Sequence, residues 1–179
     1  MDQNNYYAPQ QPQQPQQPYQ QPYQQQYQQP YQQPYQQQYQ QPMNQAPVAQ
    51  LRTDRGLIKL LLLSLITFGI YGIIYWAKIS EDVNLVCSRY DGKKTMNYYL
   101  LFFIVTPLTF GIGSIVWMHK LYERVGNELR RRNVNYSISA GTFWLWTILG
   151  SFIIVGPFVA VYKLLQAMNH LNADYNQRG

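Results

Sequence analysis

The chain has 179 residues, a formal net charge of +6 and one cysteine, Cys87. That count excludes an internal disulfide and argues against a cysteine-built metal site. Mean hydropathy is −0.35, a value suited to a soluble protein, but the average joins two unlike parts: residues 1 to about 50 are nearly all Gln, Pro and Tyr with Asp2 as their only charge, and a strongly apolar remainder carries every Lys and Arg.

The N-terminus has neither a basic region nor an apolar run behind it, so no secretory signal peptide is expected. From Tyr19 the chain repeats in fours as YQQP or YQQQ, with tyrosines at Tyr19, Tyr23, Tyr27, Tyr31, Tyr35 and Tyr39. A period of four resembles a helical stripe, but Pro18, Pro22, Pro30, Pro34 and Pro42 would each break a helix. Without aliphatic residues there is no core to offset the entropy of ordering. Residues 1–50 are therefore predicted to be a disordered tail leaning toward polyproline II. It serves either as a solubilising tether or as a sticky segment whose Tyr and Gln side chains self-associate or dock on a partner.

Three apolar segments follow, at about residues 57–77, 98–118 and 138–162. The first holds one charge, Lys59, near enough to its end to snorkel, and the other two hold none. Each has at least the ~20 residues that span a ~30 Å hydrocarbon core as a helix, and each is apolar all round rather than amphipathic. Aromatic residues crowd their ends: Tyr71, Tyr75 and Trp76, then Tyr98, Tyr99 and Trp117, then Phe143, Trp144 and Trp146. Trp and Tyr favour the headgroup level of a membrane. The predicted fold class is all-α integral membrane: three transmembrane helices over residues 51–172, with 173–179 as a polar C-terminal end.

The segments share a theme. Lys78, Lys120 and Lys163 stand 42 and 43 residues apart, each behind an aromatic residue and before an aliphatic one. Asn84, Asn127 and Asn169 come six or seven residues later. A fixed period of this size signals repeated units, although a shared membrane-helix grammar would read the same way. Apolar residues after each Lys keep helical spacing, so each helix is expected to run on past the membrane. Each segment is weakened at its middle by Thr67, Gly69 and Gly72, by Pro107, Gly111 and Gly113, or by Gly150, Gly156 and Pro157. These are kinks with close packing, or a gate made of broken helices as in transporters. No Asp, Glu, His or Arg lies at membrane depth to serve a substrate path.

The stretch ITFGIYGIIYWAKISEDVN resembles a family of small prokaryotic integral membrane proteins known only as a domain of unknown function. The motif positions are Thr67, Gly69, Ile70, Tyr71, Trp76 and Asn84, and the resemblance covers roughly residues 51–172. It implies a place in a prokaryotic cell membrane, and family members often carry a Gln-, Pro- or Tyr-rich tail. It implies no activity, substrate or cofactor.

With three full spans, the N-terminal flank and the second loop carry eight basic residues against six on the other side, which weakly favours a cytoplasmic N-terminus. If each weak midpoint were a tight turn, the segments would dip in and return, and all basic loops would lie on one side. The run Arg130, Arg131 and Arg132, with Lys120 and Lys78, is the candidate contact for anionic lipid. It is too short, and lacks a stacking platform, for nucleic acid. No catalytic, cofactor or metal site is expected. His119 and His170 are isolated, Cys87 reads as a small apolar residue, and the Gly111-x-Gly113 pair lacks the context of a phosphate loop. The function expected is a non-enzymatic membrane scaffold or interaction module. Its partners are the lipid bilayer and a membrane protein or a second copy of the chain. The alternative is a small channel or transporter component.

Overall fold

The computed structural model describes residues 46–179. The disorder expected of the tail concerns residues outside that range, except for its last few. Every regular element among the described residues is helical. They are α1 (Leu57–Ile66), α2 (Ile70–Asp91), α3 (residues 98–108), α4 (Ile112–Arg131), α5 (residues 140–152) and α6 (Gly156–Arg178). Within α3 the stretch Leu101–Val105 is wound as a π-helix. Within α5, Trp144–Ile148 is π and Leu149–Phe152 is 3₁₀. The last helix runs unbroken through residues 173–178, read above as a polar end.

The three apolar segments are not the unbroken helices expected. Each folds back on itself, and among the described residues no helix is long and apolar enough to cross a membrane. The first two reversals share one chemistry. The Thr67 hydroxyl donates to the Leu63 carbonyl (2.7 Å) and accepts the Tyr71 N–H (2.9 Å), tying the end of α1 to the start of α2. Thr109 does the same between the Val105 carbonyl (2.6 Å) and the Gly113 N–H (2.9 Å). Backbone bonds from Gly69 to Ser64 (2.7 Å) and from Gly111 to Thr106 (2.9 Å) close a helix-ending turn of the Schellman kind. Such a turn needs a left-handed residue, and here the glycines share that role with Phe68 (φ 49°) and Phe110 (φ 50°).

After each reversal the arms lie side by side. Thr106 and Ser114 hydroxyls meet at 2.6 Å, and a Cβ on Gly72 would come within 3.0 Å of the Ser64 hydroxyl. In the third hairpin, residues 153–155 turn the chain into α6, and a Cβ on Gly156 would collide with the Gly150 backbone. That close approach is what the glycine pair supplies.

Below the hairpins, the long C-terminal halves of α2, α4 and α6 pack against one another in a three-helix bundle. Residues at equal offsets from Lys78, Lys120 and Lys163 fill matching layers. Ile79, Leu121 and Leu164 form one, and Val83, Val125 and Met168 another, all without solvent exposure. At the far end Arg132 lies with its guanidinium 5.7 Å and 5.8 Å from the rings of its counterparts Tyr90 and Tyr175.

The units are locked in a ring. The Asn84 side chain reads the Thr95 backbone both ways, accepting its N–H at 2.6 Å and donating to its carbonyl at 2.8 Å. Asn169 pairs in the same way with the Arg55 backbone, at 2.8 and 2.9 Å. In the middle unit the equivalent position is Gly126, where a Cβ would collide with the Ile138 carbonyl. The first unit thus grips the segment entering the second, the second closes on the segment entering the third by backbone contact at Gly126, and the third grips the segment entering the first. Asn176 extends that last grip to Leu51, and Val48 donates to the Tyr175 hydroxyl at 3.2 Å.

Candidate functional site

Exposure divides the described residues sharply. The core without solvent contact lies in the bundle, whereas nearly all exposed large hydrophobic side chains fall within residues 58–74, 99–116 and 144–162, the hairpins. Phe68 and Phe110 are each 97% exposed, and Phe152 and Ile154 follow at 90% and 86%. These four are the tips of the hairpins. A soluble monomer rarely leaves more than a few hundred Å² of contiguous apolar surface uncovered, so this face is built to be covered.

The tips also carry strain. A left-handed backbone costs an ordinary L-residue about 1–2 kcal/mol, and glycine is its usual occupant. Twice the chain places a phenylalanine there, and twice the ring points away from all packing. Backbone strain that recurs with an exposed side chain marks a functional position rather than a structural one.

A collar separates the hairpin face from the bundle. Trp76, Tyr98 and Trp117 form an aromatic cluster with centroids 5.4–6.5 Å apart, pinned by a bond from Trp117 Nε1 to the Met96 carbonyl (2.9 Å). Trp144 Nε1 donates to His119 Nδ1 (3.0 Å). Lys78 and Lys120 are exposed at this level and Lys163 half-buried, with Lys78 bound to Glu81 at 2.7 Å. Beside them Arg52, Arg55, Tyr71, Tyr75 and Lys78 line a pocket of about 260 Å³.

The motif positions do not converge on one site. Thr67 and Gly69 build the turn, Ile70 is on the exposed face, Tyr71 lines the pocket, Trp76 is in the collar and Asn84 is the clamp. Of the residues expected to contact lipid, the arginine run lies away from the apolar face. Arg132 is 2% exposed and bonded to Glu128 (2.7 Å) and Asp174 (3.0 Å). Arg131 bonds Glu128 at 2.6 Å and stacks 3.3 Å from the Tyr90 ring centre. Arg130 is exposed but leans on Asn127. All three sit at the end of α4 opposite the hairpin tip, and the first two are spent on neutralising the bundle's own acids. Lys78 and Lys120 keep positions beside the apolar face.

Sequence reasoning missed Arg55, which is 5% exposed and ion-paired with Asp82. It also missed Arg124, whose guanidinium joins Asp91 (2.6 Å), Asn84 (2.8 Å) and the Thr95 hydroxyl (2.7 Å). The 42-residue spacing of Asn84 and Asn169 was the one signal pointing to these networks. Cys87 is buried, and burial, with Glu128 nearby, pushes its thiol well above the ordinary range, so it has no thiolate character.

In comparison with known proteins, residues 55–127 match a domain of unknown function, DUF4234. This is consistent with the resemblance to a domain-of-unknown-function family. The match runs from the entry to the first hairpin into the last third of α4, and is shorter than the 51–172 expected. No curated protein and no solved structure matches the chain.

Proposed function

We propose that the chain is a one-leaflet membrane module: three apolar hairpins sink into one leaflet from a single side, and the three-helix bundle stays in the adjoining aqueous phase. The observation that carries this reading is the pair Phe68 and Phe110, held at strained turns with almost fully exposed rings. The dimensions agree. The ten residues of α1 rise about 15 Å at ~1.5 Å per residue, half of a ~30 Å hydrocarbon core. The lysines and the Trp–Tyr collar then meet the headgroups, where such residues are favoured. Backbone polar groups at the turns are met within the chain by Thr67 and Thr109, as apolar surroundings demand.

In this reading the module is a non-enzymatic anchor and scaffold. It displaces lipid in one leaflet only, and the Gln/Pro/Tyr-rich N-terminal segment serves to engage partners or further copies of the chain.

Sidedness tests it. In a Cys87→Ser background, single cysteines at Asp54, Asn135 and Gln177 are probed in intact and opened cells with a membrane-impermeant maleimide. All three label from the same side, and cysteines at Phe68 and Phe110 label from neither. Labelling of Gln177 from the side opposite to Asp54 and Asn135, the pattern of three full spans, would sink the proposal.

A further inference from the structure

We infer that the collar pocket holds the phosphate headgroup of one anionic glycerophospholipid drawn from the leaflet around the hairpins. The inference rests on the one-leaflet reading and assigns that surface a specific ligand. The pocket, about 260 Å³, spans the boundary between the two tiers: Tyr71 and Ile74 wall its hairpin side, and Lys78 and Asp82 its bundle side. Its depth is polar but unpaired. Arg55 and Tyr75 are 5% and 6% exposed, and each keeps one buried polar atom, Arg55 Nε and Tyr75 Oη, without a protein partner. Buried donors are almost always paired, so two orphans in one recess call for an acceptor.

The arrangement specifies that acceptor. Arg55 is held in place by Asp82 and lies 5.4 Å from the centre of the Tyr75 ring. Asp82 is itself occupied by Asn172 at 3.0 Å, so the carboxylate is committed to the wall. Arg52 and Lys78 stand at the rim with side chains 54% and 63% exposed. Arg52 is paired with Asp54 at 3.2 Å and Lys78 with Glu81 at 2.7 Å, but both pairs are exposed and therefore weak, so an oxyanion can exchange for either acid while it accepts from a guanidinium N–H and a phenol O–H together. A lipid, rather than a soluble phosphoester, is favoured by the wall above. Ile74 is 45% exposed and continues directly into the apolar face, where acyl chains run.

The site is single. In the other two units the positions equivalent to Tyr71 are Gly113 and Gly156, and the strand residues equivalent to Arg55 are Thr95 and Ile138. Neither supplies a cation or a wall, so one lipid binds per chain.

The test is native mass spectrometry of the full chain released from nanodiscs of equal phosphatidylglycerol and phosphatidylcholine. One phosphatidylglycerol is retained per chain, about fivefold over phosphatidylcholine, the factor that a cation beside anionic lipid contributes. Arg52→Gln and Tyr75→Phe each remove most of that preference, while helical circular dichroism is unchanged, because Tyr75→Phe keeps the ring and Arg52 is exposed. Equal retention of the two lipids would overturn the inference, as would a preference that survives both substitutions. If excess inorganic phosphate abolishes retention and appears as a bound adduct, the pocket takes the anion alone and the lipid assignment fails. A chain that never enters nanodiscs refutes the one-leaflet reading itself. A chain that enters without selecting lipid refutes only the headgroup site.

Discussion

Replacing Phe68 and Phe110 together by Asn separates the two tiers of the molecule energetically. Both rings are 97% exposed, so their removal takes no packing from the fold. Asn tolerates the left-handed region that both positions occupy, so some of the ~1–2 kcal/mol of strain per site is relieved. The bundle should unfold at the same temperature as the parent or a few degrees higher. Insertion should move the other way. Burying a phenylalanine side chain is worth about 1.5–3 kcal/mol, so the pair forfeits about 3–6 kcal/mol of hydrocarbon burial, and each new amide adds a desolvation cost of its own. The assay pairs thermal unfolding by circular dichroism with the immersion depth of a spin label on Leu65→Cys in the Cys87→Ser background, since Leu65 is 76% exposed on the same tip. The expected result is a label several ångströms shallower on a bundle as stable as before. A lower unfolding temperature with unchanged depth would refute the reasoning, because the rings would then be structural.

Gly126→Ala drives a methyl into the Ile138 carbonyl and should cost about 1–3 kcal/mol by denaturant titration. Gly56→Ala, with nothing within 4 Å of the new atom, should stay within about 0.5 kcal/mol of the parent. Asn84→Ala strands the Thr95 N–H and carbonyl and should lose about 1–3 kcal/mol, whereas Asn127→Ala, at an exposed position bonded only to Arg130, should change stability by less than about 0.5 kcal/mol. Burial raises the Cys87 thiol above its ordinary value of 9.0, so the unfolded chain deprotonates first. That contribution is intact below pH 9 and is lost as pH rises beyond it, at up to about 1.4 kcal/mol per pH unit. Cys87→Ala should flatten the pH 9–10 slope of the unfolding free energy, below the range where Tyr122, ordinarily at 10.0 and also raised by burial, begins to act.

The helices, the 42-residue period and the apolar continuity of the hairpins were legible in the sequence, because hydrophobic patterning reports burial directly. What hydropathy could not weigh was the Thr-Phe-Gly turn. Thr67 and Thr109 each satisfy two backbone groups within one turn, which makes a full reversal as permissible in an apolar run as a continuous helix. Length alone therefore suggested spanning. The ion pairs of the arginine run were hidden for a related reason: the acids that bond two of the three cations, Glu128 and Asp174, lie a helical turn away or on another helix. The Asn84 and Asn169 clamps left a trace in the spacing, but an asparagine that reads backbone leaves no composition signal.

The ring of clamps has a consequence in time. Asn169 follows its partner Arg55 by 114 residues, which a ribosome adds in roughly 6–23 s at ~5–20 residues per second. Throughout that interval the first hairpin, the most apolar piece made so far, exists without the grip that fixes its entry strand. The first hairpin to be synthesised is thus the last to be locked, and its entry segment stays loose until Asn169 has been added.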